Sequence, residues 1–93
     1  MKVNVKFKSR FKDIFNEEGR EVALGEQATV RELLNLLCDT PKRRLQVFDN
    51  ECINLRPSVA ITKNGLFVIH LNWLDTELSE GDTVELFNLH CGG

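Results

Sequence analysis

No stretch of this chain comes near the roughly 20 consecutive apolar residues that cross a bilayer. Its first residues, Met1-Lys2-Val3-Asn4-Val5-Lys6, alternate apolar with polar where a secretory signal would run continuously apolar. A cytoplasmic protein that enters no membrane is the expectation. Cysteine is scarce: Cys38, Cys52 and Cys91 are odd in number and widely spaced, which fits neither a disulfide framework nor a zinc pattern. They read as free thiols in a reducing compartment. Histidine is limited to His70 and His90, and local spacing assembles neither a Ser/His/Asp nor a Cys/His constellation. His90-Cys91 supplies two metal ligands, short of a closed site, so no metal is expected. Gly19, Gly25, Gly65 and Gly81 are scattered turn residues rather than a phosphate-cradling loop. Repeats, low-complexity segments and interior linkers are absent as well. Conventional catalysis has little to work with, and a non-enzyme is the expectation.

What is present is an ordinary globular composition. Hydrophobic residues make up 42% and charged residues 28% of 93, enough for one domain with a modest core and too apolar for disorder. Net charge is −2, so the whole molecule is no polyanion binder. The charges are nevertheless sorted along the chain. Lys2, Lys6, Lys8, Arg10 and Lys12 crowd the beginning; Asp75, Glu77, Glu80, Asp82 and Glu85 crowd the end. Opposed solvated faces explain this without a ligand. A nucleic-acid surface would interleave stacking aromatics with the basic residues, but Phe7 shares strand parity with Val3 and Val5 and belongs to the core. No direct nucleic-acid binding is expected.

Val3, Val5 and Phe7 against Lys2, Asn4, Lys6 and Lys8 describe a strand with one buried face. Phe11, Ile14 and Phe15 at helical spacing suggest a short helical turn within residues 9–16. Asn16 to Gly19 reads as a turn and Glu21 to Leu24 as a second strand, hairpinned with the first. The clearest helix covers residues 30–38. Thr29 and Glu32 form a capping box, and Val30, Leu33, Leu34 and Leu37 form one apolar stripe. Burying each is worth about 1.5–3 kcal/mol, much of it offset by ordering the chain. Asp39-Thr40-Pro41 ends that helix.

Residues 42–57 read as a long irregular connection. A third strand follows through Val59 and Ile61, then the hairpin signal Asn64-Gly65 and a fourth strand, Leu66 to His70. Leu71 to Leu78 crosses over, Ser79 to Asp82 turns with Gly81 suited to positive φ, and Thr83 to Phe87 is the last strand. The order β-β-α-β-β-β predicts an α+β domain, a mixed sheet packed on one main helix. The last strand could lie beside the first in the centre. Periodicity alone does not choose among α+β packings.

The C-terminal segment draws attention for a different reason. After Phe87 the chain reads Asn88-Leu89-His90-Cys91-Gly92-Gly93. Two terminal glycines occur by chance in roughly one chain in 200 at average usage. Residues 1–87 therefore read as the folded domain and 88–93 as a flexible tail. Six extended residues reach about 20 Å at most, far enough to enter another protein's buried site. Glycines without Cβ atoms pass a narrow channel and bend freely. A free carboxylate is a poor electrophile; adenylation by ATP would make it a mixed anhydride. A sulfur donor could then yield a thiocarboxylate, or a thiol and later a lysine amine an isopeptide bond. The chain supplies no base, so an activating enzyme must supply orientation and charge stabilisation.

Several blocks in order carry a resemblance: Arg10-Phe11-Lys12-Asp13-Ile14, Ala28-Thr29-Val30-Arg31-Glu32-Leu33-Leu34, Arg56-Pro57-Ser58-Val59, Asn64-Gly65, Leu74-Asp75-Thr76-Glu77-Leu78, and Glu80-Gly81-Asp82-Thr83-Val84 leading to Gly92-Gly93. Together they resemble the MoaD/ThiS family of ubiquitin-like sulfur carriers, which includes the small subunit of molybdopterin synthase. The resemblance covers nearly the whole chain. It implies a β-grasp fold and adenylation of Gly93 by an E1-like enzyme that uses ATP and Mg, the carrier having no cofactor of its own. It also implies a thiocarboxylate at Gly93, a sulfur donor protein as partner, and in one version the large subunit of molybdopterin synthase.

Gly92 carries over directly, with Cys91 and His90 as the neighbouring tail residues. Phe87 matches the aromatic that ends the family's last strand and presents an apolar patch to partners, and Leu89 follows it. The parity of Phe87, opposite to Val84 and Leu86, independently turns it away from the core. Molybdopterin-type members often have prolines and small residues where this chain has Asn88-Leu89-His90-Cys91. The Leu-His pair is reminiscent of the eukaryotic ubiquitin-related modifier of tRNA thiolation and conjugation. Three functions therefore stand side by side: a sulfur carrier, most simply for molybdopterin; a modifier or tRNA-thiolation carrier joined through Gly93; and a β-grasp interaction module with an idle tail.

Overall fold

The computed structural model describes residues 1–49 and 54–89. Strand β1 (Lys2–Phe7) leads into a short helix α1 (Phe11–Phe15), and β2 (Gly19–Ala23) returns antiparallel to β1. Helix α2 (Val30–Leu37) and helix α3 (Pro41–Val47) follow. Then come β3 (Val59–Lys63), a two-residue β4 (Leu66–Phe67), two 3-10 turns (Val68–His70 and Trp73–Asp75), and β5 (Thr83–Asn88). The sheet order is β2-β1-β5-β3-β4. Strands β1 and β5 run parallel, with Val5 beside Val84 and Phe7 beside Leu86; the other described pairings are antiparallel. This is the β-grasp order, with the last strand beside the first in the middle.

Period-two alternation builds the core face of the sheet. Val3, Val5 and Phe7 of β1, Ile61 of β3 and Val84 and Leu86 of β5 are buried, and the apolar stripe of α2 (Val30, Leu33, Leu34, Leu37) is buried with them. Thr29 Oγ1 accepts from Glu32 N at 3.3 Å, so the helix begins where its cap predicts. It ends one residue short of expectation, with Cys38 as C-cap. Phe15 stacks on Phe7 with ring centroids 4.4 Å apart, which holds α1 against the end of β1.

Three expectations change. Residues 42–57 are not wholly irregular, because Thr40-Pro41, which stops α2, also starts α3. Thr40 Oγ1 accepts from Arg43 N at 3.2 Å, and proline tolerates the first helical position. The helix is hard to see by periodicity, since Val47 is buried while Leu45 is exposed. Its anchors are cationic instead: the Arg43 guanidinium lies 5.3 Å from the Phe15 ring and that of Arg44 4.8 Å from Phe48. Two short helices, α1 and α3, thus accompany α2 among the described residues.

The fourth strand is also shorter than expected. It pairs only Leu66 with Lys63 and Phe67 with Thr62 before coiling into a 3-10 turn that buries Val68 and exposes Ile69. Finally, β5 continues through Asn88, one residue beyond the expected end of the folded domain. The crossing segment behaves as expected. It is fastened to the start of α2 by Val30 N to Thr76 O (3.0 Å) and Leu78 N to Ala28 O (2.9 Å). Asn64 (φ 51°) and Gly65 (φ 86°) both take positive φ, as a two-residue hairpin of the primed type requires. Gly81, at φ 82°, occupies the turn before β5.

Candidate functional site

The outward face of the sheet near the finish of β5 is assembled by register. With Val84 and Leu86 turned inward, Phe87 faces out beside Ala60 of β3. The two-residue turn at 64–65 pairs Thr62 with Phe67 and thereby sets Phe67 on the same outward face. The two rings meet edge to face, 5.9 Å between centroids at 69°, a geometry worth about 0.5–1.5 kcal/mol beyond burial. Ala60 and Thr62 are buried although they point outward. Phe67 keeps 39% of its surface exposed.

This aromatic pair borders a second apolar feature. Pro57, Val59, Phe67, Ile69, Trp73 and Leu89 line a groove of about 240 Å³, to which Phe67 is common. Ile69 is 66% and Leu89 50% exposed, with Leu66 and Leu71 also open to solvent. Leu89 N donates to Ser58 O at 2.7 Å, which ties the chain leaving β5 to the residue just ahead of β3. Arg56, at the groove's edge, donates from Nε to Leu45 O. Exposed apolar side chains gathered in one place are a feature that protein-interaction surfaces share.

Of the residues singled out in the sequence, Phe87 and Leu89 lie at this surface, Phe87 as one ring of the aromatic pair and Leu89 in the lining of the groove. His90, Cys91, Gly92 and Gly93 lie outside the described residues, as does Cys52. Trp73 lines the groove. His70 is exposed in the first 3-10 turn. Among the described residues, no group of three or more His, Cys, Asp or Glu side chains could hold a metal ion. No described helix is long and apolar enough to cross a membrane. Phe67, Ile69 and Ala60 were missed by sequence reasoning. The signal for Phe67 was available: Thr62 has parity opposite to the core residue Ile61, and a two-residue Asn-Gly turn must pair Phe67 with it.

The family model described as the ThiS family matches residues 5–93, nearly the whole chain. The chain belongs to the ThiS family. ThiS proteins are ubiquitin-like sulfur carriers and modifiers. A relative, small archaeal modifier protein 3 of Haloferax volcanii, is 30% identical over 96 aligned positions that span the whole of both chains. The crystal structure of small archaeal modifier protein 1 from the same organism superimposes with a TM-score of 0.84 at 21% identity, again covering both chains in full. A Pyrococcus furiosus protein described as molybdopterin converting factor, subunit 1, gives a TM-score of 0.72 at 28% identity, covering 95% of this chain and 97% of its own. The β-grasp fold expected of a ThiS member is thus the fold observed.

Proposed function

We propose that this chain is a sulfur carrier that reacts through the main-chain carboxylate of Gly93. An E1-like enzyme grips the Phe67–Phe87 surface and transfers adenylate from ATP to the carboxylate, releasing pyrophosphate. A sulfide equivalent from a donor protein then displaces AMP and leaves a thiocarboxylate. The observation that carries this reading is the family match, which runs through residue 93 and so includes Gly92-Gly93. The apolar surface supports it, because it lies where β5 finishes and is therefore within a few residues of the reactive end. Binding through that surface lets the enzyme spend contact energy on positioning the terminus.

The acceptor we favour is a molybdopterin precursor, with the large subunit of a molybdopterin synthase as the final partner. Similarity to the Pyrococcus furiosus converting factor supports that choice. A second reading, conjugation to lysine amines, is favoured by the full-length relative named as a modifier. One experiment separates them. The chain is incubated with its E1-like enzyme, ATP, Mg²⁺ and a sulfur source, and its intact mass is measured. Replacement of one oxygen by sulfur is expected, and deletion of Gly92-Gly93 abolishes it. Protein adducts lost on deleting Gly93, with no sulfur-for-oxygen exchange, point to the modifier instead.

A further inference from the structure

The parallel pairing of β1 and β5 puts the starts of both strands at one end of the sheet and their finishes at the other. Charge follows the same axis. At the finishing end Lys8 N donates to Leu86 O at 2.9 Å, and Lys6, Lys8 and Lys12 line one open concavity beside the outward face. Arg10 reaches α3, donating from Nη2 to Gln46 Oε1 at 2.6 Å, and shares a neighbouring concavity with Lys42 and Arg43. Asp39 neutralises Arg43 at 2.9 Å. Lys6, Lys8, Lys12 and Lys42 make no ion pair among the described residues.

Carboxylates are present there too. Glu18, Glu21 and Asp13 stand on the rims, and Glu85 is the register partner of Lys6. Glu21, however, is already drawn toward Lys2 at 3.6 Å. At the starting end, where Gly81 N donates to Lys2 O at 2.8 Å, Glu26, Glu77 and Glu80 surround a third concavity. A net charge of −2 thus conceals a molecule that is basic where β5 finishes and acidic where it starts.

The geometry points to an electrostatic steering surface: the lysines beside the finish of β5 turn the carrier end-on toward a protein partner whose apolar seat is rimmed with carboxylates. This rests on the sulfur-carrier reading and names the chemistry of the activating enzyme's docking face. Oriented charge acts on encounter more than on final affinity, raising association rates by about 10- to 1,000-fold at low salt. A nucleic acid fits this face less well. The outward ring pair on this face stands edge to face rather than offering parallel stacking platforms between the lysines.

The test measures kcat/KM for carrier-dependent pyrophosphate release by the E1-like enzyme, with KCl raised from about 50 to about 300 mM, a range over which screening shortens markedly. The wild-type rate is expected to fall steeply with salt. The triple variant Lys8→Glu/Lys12→Glu/Lys42→Glu is expected to be about tenfold slower at low salt and to converge on wild type at high salt. Reversal at the other end, Glu26→Lys/Glu77→Lys, leaves the rate unchanged or raises it. The wild-type salt dependence needs no variant to fold. A wild-type rate indifferent to salt overturns the inference while leaving the carrier reading intact, as does a triple variant matching wild type throughout. A wild-type chain that the enzyme never adenylates overturns both. Retention of bulk tRNA by wild type but not by the triple variant at about 150 mM salt assigns the surface to nucleic acid and also overturns it.

Discussion

Asn64 clasps Asp82: its Nδ2 donates to Asp82 Oδ1 at 2.9 Å while its own Oδ1 accepts from Thr83 N at 2.9 Å. Asp82 is 9% exposed, and its second oxygen accepts from Ser79 N at 2.7 Å. One amide thus joins the β3–β4 hairpin, which carries Phe67, to the turn that starts β5, which carries Phe87.

Replacing Asn64 separates this clasp from the turn that holds it. Glycine accepts a φ of 51° without strain, so Asn64→Gly keeps the hairpin and deletes only the side-chain bonds. The expected loss is about 1–3 kcal/mol, because Asp82 Oδ1 and the Thr83 amide lose their partner while Asp82 Oδ2 keeps Ser79 N. Denaturant unfolding measures it. A midpoint equal to wild type would show that water replaces the clasp at no cost.

At the other edge of the sheet, a Cβ on Gly19 would stand 2.6 Å from Val5 O. The opposing atom is backbone in the neighbouring strand and yields only if β1 and β2 move apart. Gly19→Ala is expected to cost about 1–3 kcal/mol and to speed amide exchange in β1 and β2. Gly25→Ala is the control. A methyl group at that position would meet no atom within 4 Å, and the expected change is within about 0.5 kcal/mol.

Thr62 is 4% exposed, and its Oγ1 has no hydrogen-bond partner among the described residues. Valine has the same branched shape without the hydroxyl. Thr62→Val is therefore expected to raise stability by about 1 kcal/mol, which for a domain of this size shifts the thermal midpoint upward by about 4–8 °C. A lower midpoint would mean that the hydroxyl has a use in the folded state.

Phe87 is half-buried on the outward face, against a neighbour that is itself partly exposed. Phe87→Ala is expected to leave a cooperatively folded domain, yet to lower kcat/KM for carrier-dependent pyrophosphate release at least tenfold, about 1.4 kcal/mol. The pairing of the measurements matters: a large fall in stability with unchanged kcat/KM would make Phe87 a packing residue only.

Elements whose cause lies within a few residues were legible in the sequence. The α2 stripe with its Thr29 cap, the alternation in β1 and the Asn64-Gly65 turn are of this kind, and each formed within a residue or two of its expected place. Helix α3 was not legible. Its stabilising contacts are Arg43 over Phe15 and Arg44 over Phe48, and the first of these spans the distance to another helix. β4 failed for a related reason. Its apolar run looks like a strand, but Val68 is buried in the core and pulls the backbone out of the ladder after two residues. The site divides in the same way. Phe87 announced itself by parity, whereas Phe67 became visible only through the cross-strand register of a turn.

The parallel contact between residues 4–7 and 83–86 also sets the order of events in making the molecule. The middle of the sheet stays vacant until β5 has been synthesised, since β1 and β3 have no shared neighbour before then. Closing so long a loop is slow compared with local helix formation. The segment bearing Gly92-Gly93 follows in sequence on the strand that completes the fold, so a nascent chain stalled or cleaved ahead of Thr83 has neither a finished sheet nor those two glycines. Completion of the sheet and possession of the glycine-bearing segment are thereby coupled by topology.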